Sequence, residues 1–272
     1  MKCSGRKYIK TESLPFFWCS GCGNGIIFAA LTRAMEENNL DNKDIVAVTG
    51  IGCWGKADDY LTTHTFHGTH GRAIAVATGI KLANPLLKVF ALVGDGDGIT
   101  IGGNHLIHAA RRNIDIIVIM SNNFNYGMTG GQYSGTTPFN SITATSSYGH
   151  VEDAFDVSSL VKSAGAGYVA RCTIANPHMI QQLISKAIKK RQGFRFIEVI
   201  SICPTHYGKY NQMSSAVEMI KDLSERTVNF KDIDQIAPED LGNKIMVGEY
   251  QNQEVEGFVH RYQRLKQSIL PT

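Results

Sequence analysis

Five short runs of nearly uninterrupted apolar residues, rich in Val and Ile, constrain this chain more than any other feature. They are DIVAVTG (44–50), KVFALVGDG (88–96), IDIIVIMSNN (114–123), FRFIEVIS (194–201) and the shorter GYVAR (167–171). A strand with one face in water alternates polar and apolar residues. A strand covered on both faces does not, and that is the pattern of a parallel sheet. Helical stretches lie between the runs: GIIFAALTRAMEEN (25–38), GRAIAVATGIKLA (71–83), NHLIHAARR (104–112), VSSLVKSAG (157–165) and PHMIQQLISKAIKKRQ (177–192). The last opens on Asn176-Pro177, an N-cap residue followed by proline at the first helical position. Strand and helix in alternation predict the α/β class and a doubly wound, mostly parallel sheet. A chain of 272 residues is long enough to bury a sizeable core around it. The pattern breaks near residue 203. The expected division is an N-terminal segment (1–14), a main domain (15–203) and a C-terminal extension (204–272). The extension is polar, shows no helical signal until about Ser215, and is expected to pack on the domain or on a partner chain.

The formal net charge is +3, too small to argue for a nucleic-acid partner. The basic stretch Lys186–Arg191 reads as a solvated helix end. The N-terminal stretch MKCSGRKYIKTES lacks the apolar segment of a secretory signal. No apolar run reaches the roughly 18–20 residues that a membrane span requires. A cytoplasmic location without membrane contact is therefore expected. In such a reducing compartment six cysteines point to metal, cluster or plain packing rather than to disulfides.

Two strand ends carry conspicuous polar signatures: GDGDG (94–98) and NNFNYGMTGGQ (122–132). In open α/β sheets ligands bind outside the carboxyl ends of the strands. Glycine allows the backbone to turn sharply and approach a ligand closely. Asp95, between two glycines, is a hard oxygen ligand of the kind Mg²⁺ takes alongside phosphate oxygens and water. Asn123 at the neighbouring strand end can supply a second oxygen. An Asp, an Asn and a backbone carbonyl would then hold a metal that itself holds a diphosphate.

The cysteines form a second constellation. FWCSGCGNG (17–25) places Cys19 and Cys22 two residues apart beside a glycine run. A zinc knuckle, a thioredoxin-type redox pair and an iron–sulfur corner all begin this way. Cys53 in TGIGCWG and Cys203 in SICPTHYG each follow a strand run. Four thiolates suit a 4Fe–4S cluster or a four-thiolate zinc site. A thioredoxin-like pair would need neither Cys53 nor Cys203. Cys3 has no partner in this pattern, and Cys172 reads as a buried or edge thiol. His64, His67 and His70 recur every third residue, a spacing that suits a metal site and loop hydrogen bonding equally.

GDG, then 25 residues, then NN resembles the thiamine-diphosphate binding motif. NYGMTGGQ (125–132), HGTHGRAIAVATGIKLANP (67–85) and GGNHLIHAARRNID (102–115) resemble the beta subunits of 2-oxoacid:ferredoxin oxidoreductases, most of all the 2-oxoglutarate type. WCSGCGNG (18–25) matches that family's WCxGCGxG, and the similarity covers roughly residues 15–210. The resemblance implies a thiamine-diphosphate-binding fold in which Asp95, Asn123 and the carbonyl of Asn125 bind Mg²⁺. It implies a cofactor site built from Gly52, Cys53, His67, His70, Gly94, Asp95, Gly96, Asp97, Asn123, Asn125, Tyr126, Gly127, Met128 and Thr129. Cys19, Cys22, Cys53 and Cys203 would ligate one 4Fe–4S cluster, with Phe16, Phe17 and Trp18 packed around it. The HGR turn would lie near the diphosphate, making His67 and His70 candidates for phosphate contact or proton handling.

The implied reaction is the CoA-dependent oxidative decarboxylation of 2-oxoglutarate to succinyl-CoA and CO₂. Electrons would leave singly through the cluster to ferredoxin, reversibly in principle. The family's activating Glu comes from an alpha subunit, so no catalytic side chain is assigned here and an alpha partner is expected, with or without further small subunits. Branched-chain 2-oxoacids and pyruvate are the alternative substrates; Gly130 offers no side chain to a distal carboxylate. Two other classes remain: a thiamine enzyme without electron transfer whose cysteines bind zinc, and a non-catalytic subunit with degenerate sites. The intact Asp95/Asn123 pair and the four placed cysteines argue against degeneracy.

Overall fold

The structure, a computed structural model, describes residues 4–213, 215–235 and 242–269, so Cys3 lies outside it. Each apolar run contains a strand: β1 Ile45–Thr49, β3 Lys88–Gly94, β4 Ile117–Asn122, β5 Tyr168–Thr173 and β6 Arg195–Ile200. β1, β4 and β6 are buried along their whole length, as the absence of alternation requires. The helices fall where the apolar periodicity puts them: α1 Asn24–Glu37, α2 Ala73–Ala83, α3 Gly103–Arg112, α4 Val157–Ser163 and α5 Pro177–Lys189. The Asn176 side chain accepts the Met179 N–H at 3.0 Å, which caps α5 as its sequence predicts.

One strand has no apolar signal. β2, His64–His67, is an exposed edge strand of sequence HTFH and is legible only from its pairing with β1. Beyond residue 203 the chain adds α6 Ala216–Arg226, β7 Thr227–Asn229, β8 Ile245–Asn252 and α7 Phe258–Ile269. The result is an eight-stranded sheet in the order β2-β1-β3-β4-β6-β5-β8-β7. β8 runs antiparallel to β5; the other pairings are parallel. Covering β5 in this way removes an edge that would otherwise expose unpaired backbone. Asp115, buried after α3, accepts the N–H groups of Gly193 at 2.9 Å and Val259 at 3.0 Å and so ties α7 to the base of the sheet.

Side chains alternate between two cores. Ala47, Leu92, Ile119 and Ile197 pack under α1, α5 and α6 through Ile27, Leu31, Leu183 and Leu223. Val48, Ala91, Val118 and Phe196 pack under α2, α3 and α4 through Ile74, Leu106 and Val161. The sheet is therefore wound on both faces, and the carboxyl ends of β1, β3, β4 and β6 open at one side. Among the described residues no helix is long and apolar enough to cross a membrane.

Candidate functional site

The loops leaving β1, β3 and β4 enclose a cavity of about 100 Å³. Gly52, Cys53, His70, Gly94, Asp95, Gly96, Asp97, Asn123, Asn125, Tyr126, Gly127, Met128 and Thr129 all line it. Asp95, 2 % exposed, follows β3 and precedes a π-helical turn, Gly96–Ile101. Its Oδ2 accepts the Ser134 hydroxyl at 2.5 Å and the Thr136 hydroxyl at 2.8 Å. Burial pushes the carboxyl up to about 6, while these two donors pull it back down. Its Oδ1 points the other way. The Asn123 amide oxygen lies 3.3 Å from Asp95 Oδ1 and 2.8 Å from the Asn125 carbonyl oxygen; turning the amide over would present an N–H to both instead. Neighbouring ligands of an octahedral Mg²⁺ at about 2.1 Å stand about 3.0 Å apart. The spacing of the Asn123 oxygen from the other two suits a small hard cation, and without one the amide has reason to flip.

Gly96 is a position of close approach: a Cβ there would stand 2.4 Å from the Tyr126 ring. Tyr126 is pinned by its hydroxyl, which donates to the Gly96 carbonyl at 3.1 Å. Asp97 serves the loops. Its Oδ1 takes the Gly71 N–H at 2.7 Å, the Ile51 N–H at 3.3 Å and His70 Nδ1 at 2.6 Å. His70 thus lies at the cavity with one ring nitrogen committed.

His67 stands apart from the cavity lining. Its Nδ1 is 3.0 Å from Thr49 Oγ1 and 3.3 Å from Asp58, at the sheet edge. His64 and His67 are the first and fourth residues of β2 and so face opposite sides of the strand, while His70 follows in the next turn; the three share no face. Among the described residues no three His, Cys, Asp or Glu side chains converge on a single point that would hold one metal ion.

The cysteines surround a second cavity, of about 140 Å³. Cys19 and Cys22 come from the turn before α1, Cys53 from the end of β1 and Cys203 from the end of β6; all four line it. Burial raises the Cys22 thiol to about 11 and the Cys53 thiol to about 12, and the neighbouring cysteines push both further up. The backbone N–H of Asn24, in the first turn of α1, acts in the opposite sense on Cys22. Four thiolates gathered here therefore need a positive group among them. Phe17 and Trp18 line the cavity, while Phe16 packs on Phe28 and Tyr60 behind it. The Trp18 indole donates to the Cys53 carbonyl at 2.6 Å, which fixes the loop that carries the thiol. Cys172 lies within β5, fully buried, away from the other four.

Cys53, Asn123, Gly127 and Met128 line both cavities. A Cβ on Gly127 would stand 3.6 Å from Cys203 Sγ and 3.2 Å from Asn125 Oδ1, so little more than one backbone separates the two sites. Sequence reasoning did not single out Ser134 and Thr136, the partners of Asp95. The available signal was the hydroxyl-rich SGTT (134–137) inside a connection of more than thirty residues between β4 and α4, a length that marks functional loops.

Residues 50–199 match the thiamine pyrophosphate enzyme family, C-terminal TPP binding domain. The chain is 48% identical over 244 residues to the 2-oxoglutarate synthase subunit KorB of Methanothermobacter marburgensis, covering 90% of this chain and 85% of that one. This chain belongs to the thiamine-dependent 2-oxoacid oxidoreductase beta subunits. The KorB subunit of Methanocaldococcus jannaschii is 45% identical over 97% of both chains. The fold agrees with the 2-oxoglutarate:ferredoxin oxidoreductase of Magnetococcus marinus, solved with 2-oxoglutarate, coenzyme A and succinyl-CoA bound. That match has a TM-score of 0.87 at 29% identity and covers 98% of this chain and 90% of the other. As a beta subunit the chain works with other subunits.

Proposed function

We propose that this chain is the cofactor-bearing subunit of a cytoplasmic 2-oxoglutarate:ferredoxin oxidoreductase. It would hold Mg²⁺–thiamine diphosphate in the smaller cavity and a 4Fe–4S cluster in the larger. The observation that carries this reading is the common wall of the two cavities, formed by Cys53, Asn123, Gly127 and Met128. An electron acceptor one backbone away from a decarboxylating cofactor favours one-electron oxidation over simple decarboxylation.

Asp95 Oδ1, Asn123 Oδ1 and the Asn125 carbonyl are the ligands we assign to Mg²⁺, on the oxygen spacing described above. Bound thiamine supplies an electron sink that permits loss of CO₂ from a 2-oxoacid, and the cluster accepts the electrons singly. This chain's part is to hold and shield. Gly96 lets the backbone meet the diphosphate, Tyr126 closes one wall, and the Phe17–Trp18 pair lines one side of the thiol cavity. His70 is oriented by Asp97 and is available to a phosphate oxygen; His67 is not part of the proposed site. The activating Glu and most contacts to the second substrate carboxylate are assigned to the alpha subunit. Coenzyme A takes the acyl group and ferredoxin the electrons.

Zinc fits less well. A tetrahedral zinc site needs its sulfurs about 2.3 Å from one point, and no three metal-type side chains among the described residues converge in that way. The test is CoA-dependent viologen reduction by the native complex, isolated anaerobically through this chain. 2-Oxoglutarate, pyruvate and 2-oxoisovalerate are compared side by side. Reduction with 2-oxoglutarate is expected. Absence of reduction with all three, in a complex containing thiamine and the alpha subunit, would favour the zinc enzyme; reduction by another acid would reassign the substrate.

A further inference from the structure

We infer that Ser134 and Thr136 are positioning residues that fix the metal-facing rotamer of Asp95. The inference rests on the reading that Asp95 holds the cofactor's metal.

Both hydroxyls near Asp95 reach Oδ2, at 2.5 Å from Ser134 and 2.8 Å from Thr136, and this turns Oδ1 toward Asn123 and Asn125. Thr136 Oγ1 also lies 2.9 Å from Asn122 Oδ1, but the hydroxyl has one proton and the carboxylate is the stronger acceptor for it. The Asn122 amide has a single workable orientation. Its Nδ2 donates to Glu198 Oε1 at 2.9 Å, while its oxygen accepts the Phe124 N–H at 3.2 Å. Flipped, the amide would set oxygen against a carboxylate and N–H against N–H. Glu198 is 1 % exposed, and its Oε2 accepts the Ser158 hydroxyl at 2.7 Å and Arg171 Nε at 2.8 Å. Arg171 continues outward to Asp156 and to the Tyr250 hydroxyl on β8. This network crosses from β8 through β5 and β6 to Asn122 at the end of β4. Rotation of Asp95 would break two hydrogen bonds to a charged group, and each such bond is worth about tenfold or more in an equilibrium.

The test is the Mg²⁺ dependence of thiamine-diphosphate binding, followed by calorimetry on the anaerobically isolated multisubunit complex. Asp95→Asn is the control for the underlying reading, and Mg²⁺-dependent binding should be lost in it. Thr136→Val keeps the side-chain shape and removes the hydroxyl. The Mg²⁺ concentration at half-saturation is expected to rise at least tenfold, and Thr136→Ser should return it to within about threefold of the parent. A purely structural role would lower the melting temperature without moving this midpoint. Ser134→Ala removes the other donor to Oδ2 and should shift the midpoint in the same direction. It decides the matter if Thr136→Val does not fold. An unchanged midpoint in Thr136→Val, or in Ser134→Ala where the former is lost, overturns the inference. Retained metal dependence in Asp95→Asn overturns the metal assignment itself.

Discussion

Gly96→Ala isolates the steric part of cofactor binding. The added methyl would meet Tyr126 ring carbons at 2.4, 2.6 and 2.9 Å, about 1 Å inside the ordinary carbon–carbon contact of about 3.5–4.0 Å. The ring cannot retreat freely. Its hydroxyl is bonded to the Gly96 carbonyl at 3.1 Å, and its edge meets the His70 ring at a centroid separation of 5.8 Å. The remaining escape is into the cavity of about 100 Å³. Overpacking of this kind costs about 1–3 kcal/mol. If bound diphosphate must push the ring back against that strain, affinity falls by about 5- to 150-fold, since about 1.4 kcal/mol is tenfold. The assay is thiamine-diphosphate binding to the complex at saturating Mg²⁺. Tyr126→Ala in the same chain makes room for the methyl, so the double variant should bind better than the two separate losses predict. Binding by Gly96→Ala within twofold of the parent, or strict additivity in the double variant, would refute the argument that this glycine keeps the ring out of the cofactor's space.

Three further outcomes are expected. Cys53→Ser should lower the iron content of the complex and abolish viologen reduction, because Cys53 is a proposed ligand on the wall shared by both cavities; unchanged iron and activity would remove it from the cluster. Arg171→Met should destabilise the fold by about 3–5 kcal/mol in denaturant titration, since it strands the buried Glu198 carboxylate beside Ser158; a loss below about 1 kcal/mol would mean water replaces the guanidinium. Burial, with Arg195 and Lys81 nearby, lowers Lys88 to about 8, against about 10.4 in an unfolded chain. Between those values the unfolded chain binds more protons, so stability rises with pH. Lys88→Met should therefore raise the melting temperature at pH 7, and the gain should shrink as pH climbs toward about 10. A gain independent of pH would assign the effect to packing.

The elements legible in the sequence were those whose burial is dictated by their own residues. β1, β3, β4 and β6 read directly because both of their faces are covered, and Asn176-Pro177 announced α5 by local chemistry alone. β2 was not legible, because HTFH at a sheet edge carries neither alternation nor an apolar run. β8 was not legible either, because its place depends on the exposed side of β5, a partner more than seventy residues earlier. The same distinction runs through the site. Asp95, Asn123 and the four cysteines are donors whose residue type states their chemistry. Ser134 and Thr136 are ordinary hydroxyls that become significant only when a long connection folds them onto Asp95. His67 is the reverse case: its spacing is suggestive, but its Nδ1 faces Thr49 and Asp58 and it does not line the cavity.

What joins the two cavities is the strand order. β1, β3, β4 and β6 are laterally adjacent, apart only by the sheet's own hydrogen-bonding distance of about 4.8 Å per strand. A loop after β1 can therefore bring Cys53 against a loop after β4 that carries Asn123 and Gly127, while the loop after β6 brings Cys203 to the far side of the same glycine. The turn before α1 closes the group with Cys19 and Cys22, and the helix start adds the Asn24 N–H. No long-range motion is needed to set the proposed cluster site beside the proposed thiamine site in such a sheet. The loops need only be short after β1 and β6 and small-residued after β4. A side chain at position 127 would press on Cys203, Asn123 and Asn125, members of both proposed ligand sets, so the two sites can stand this close only because the residue between them is glycine.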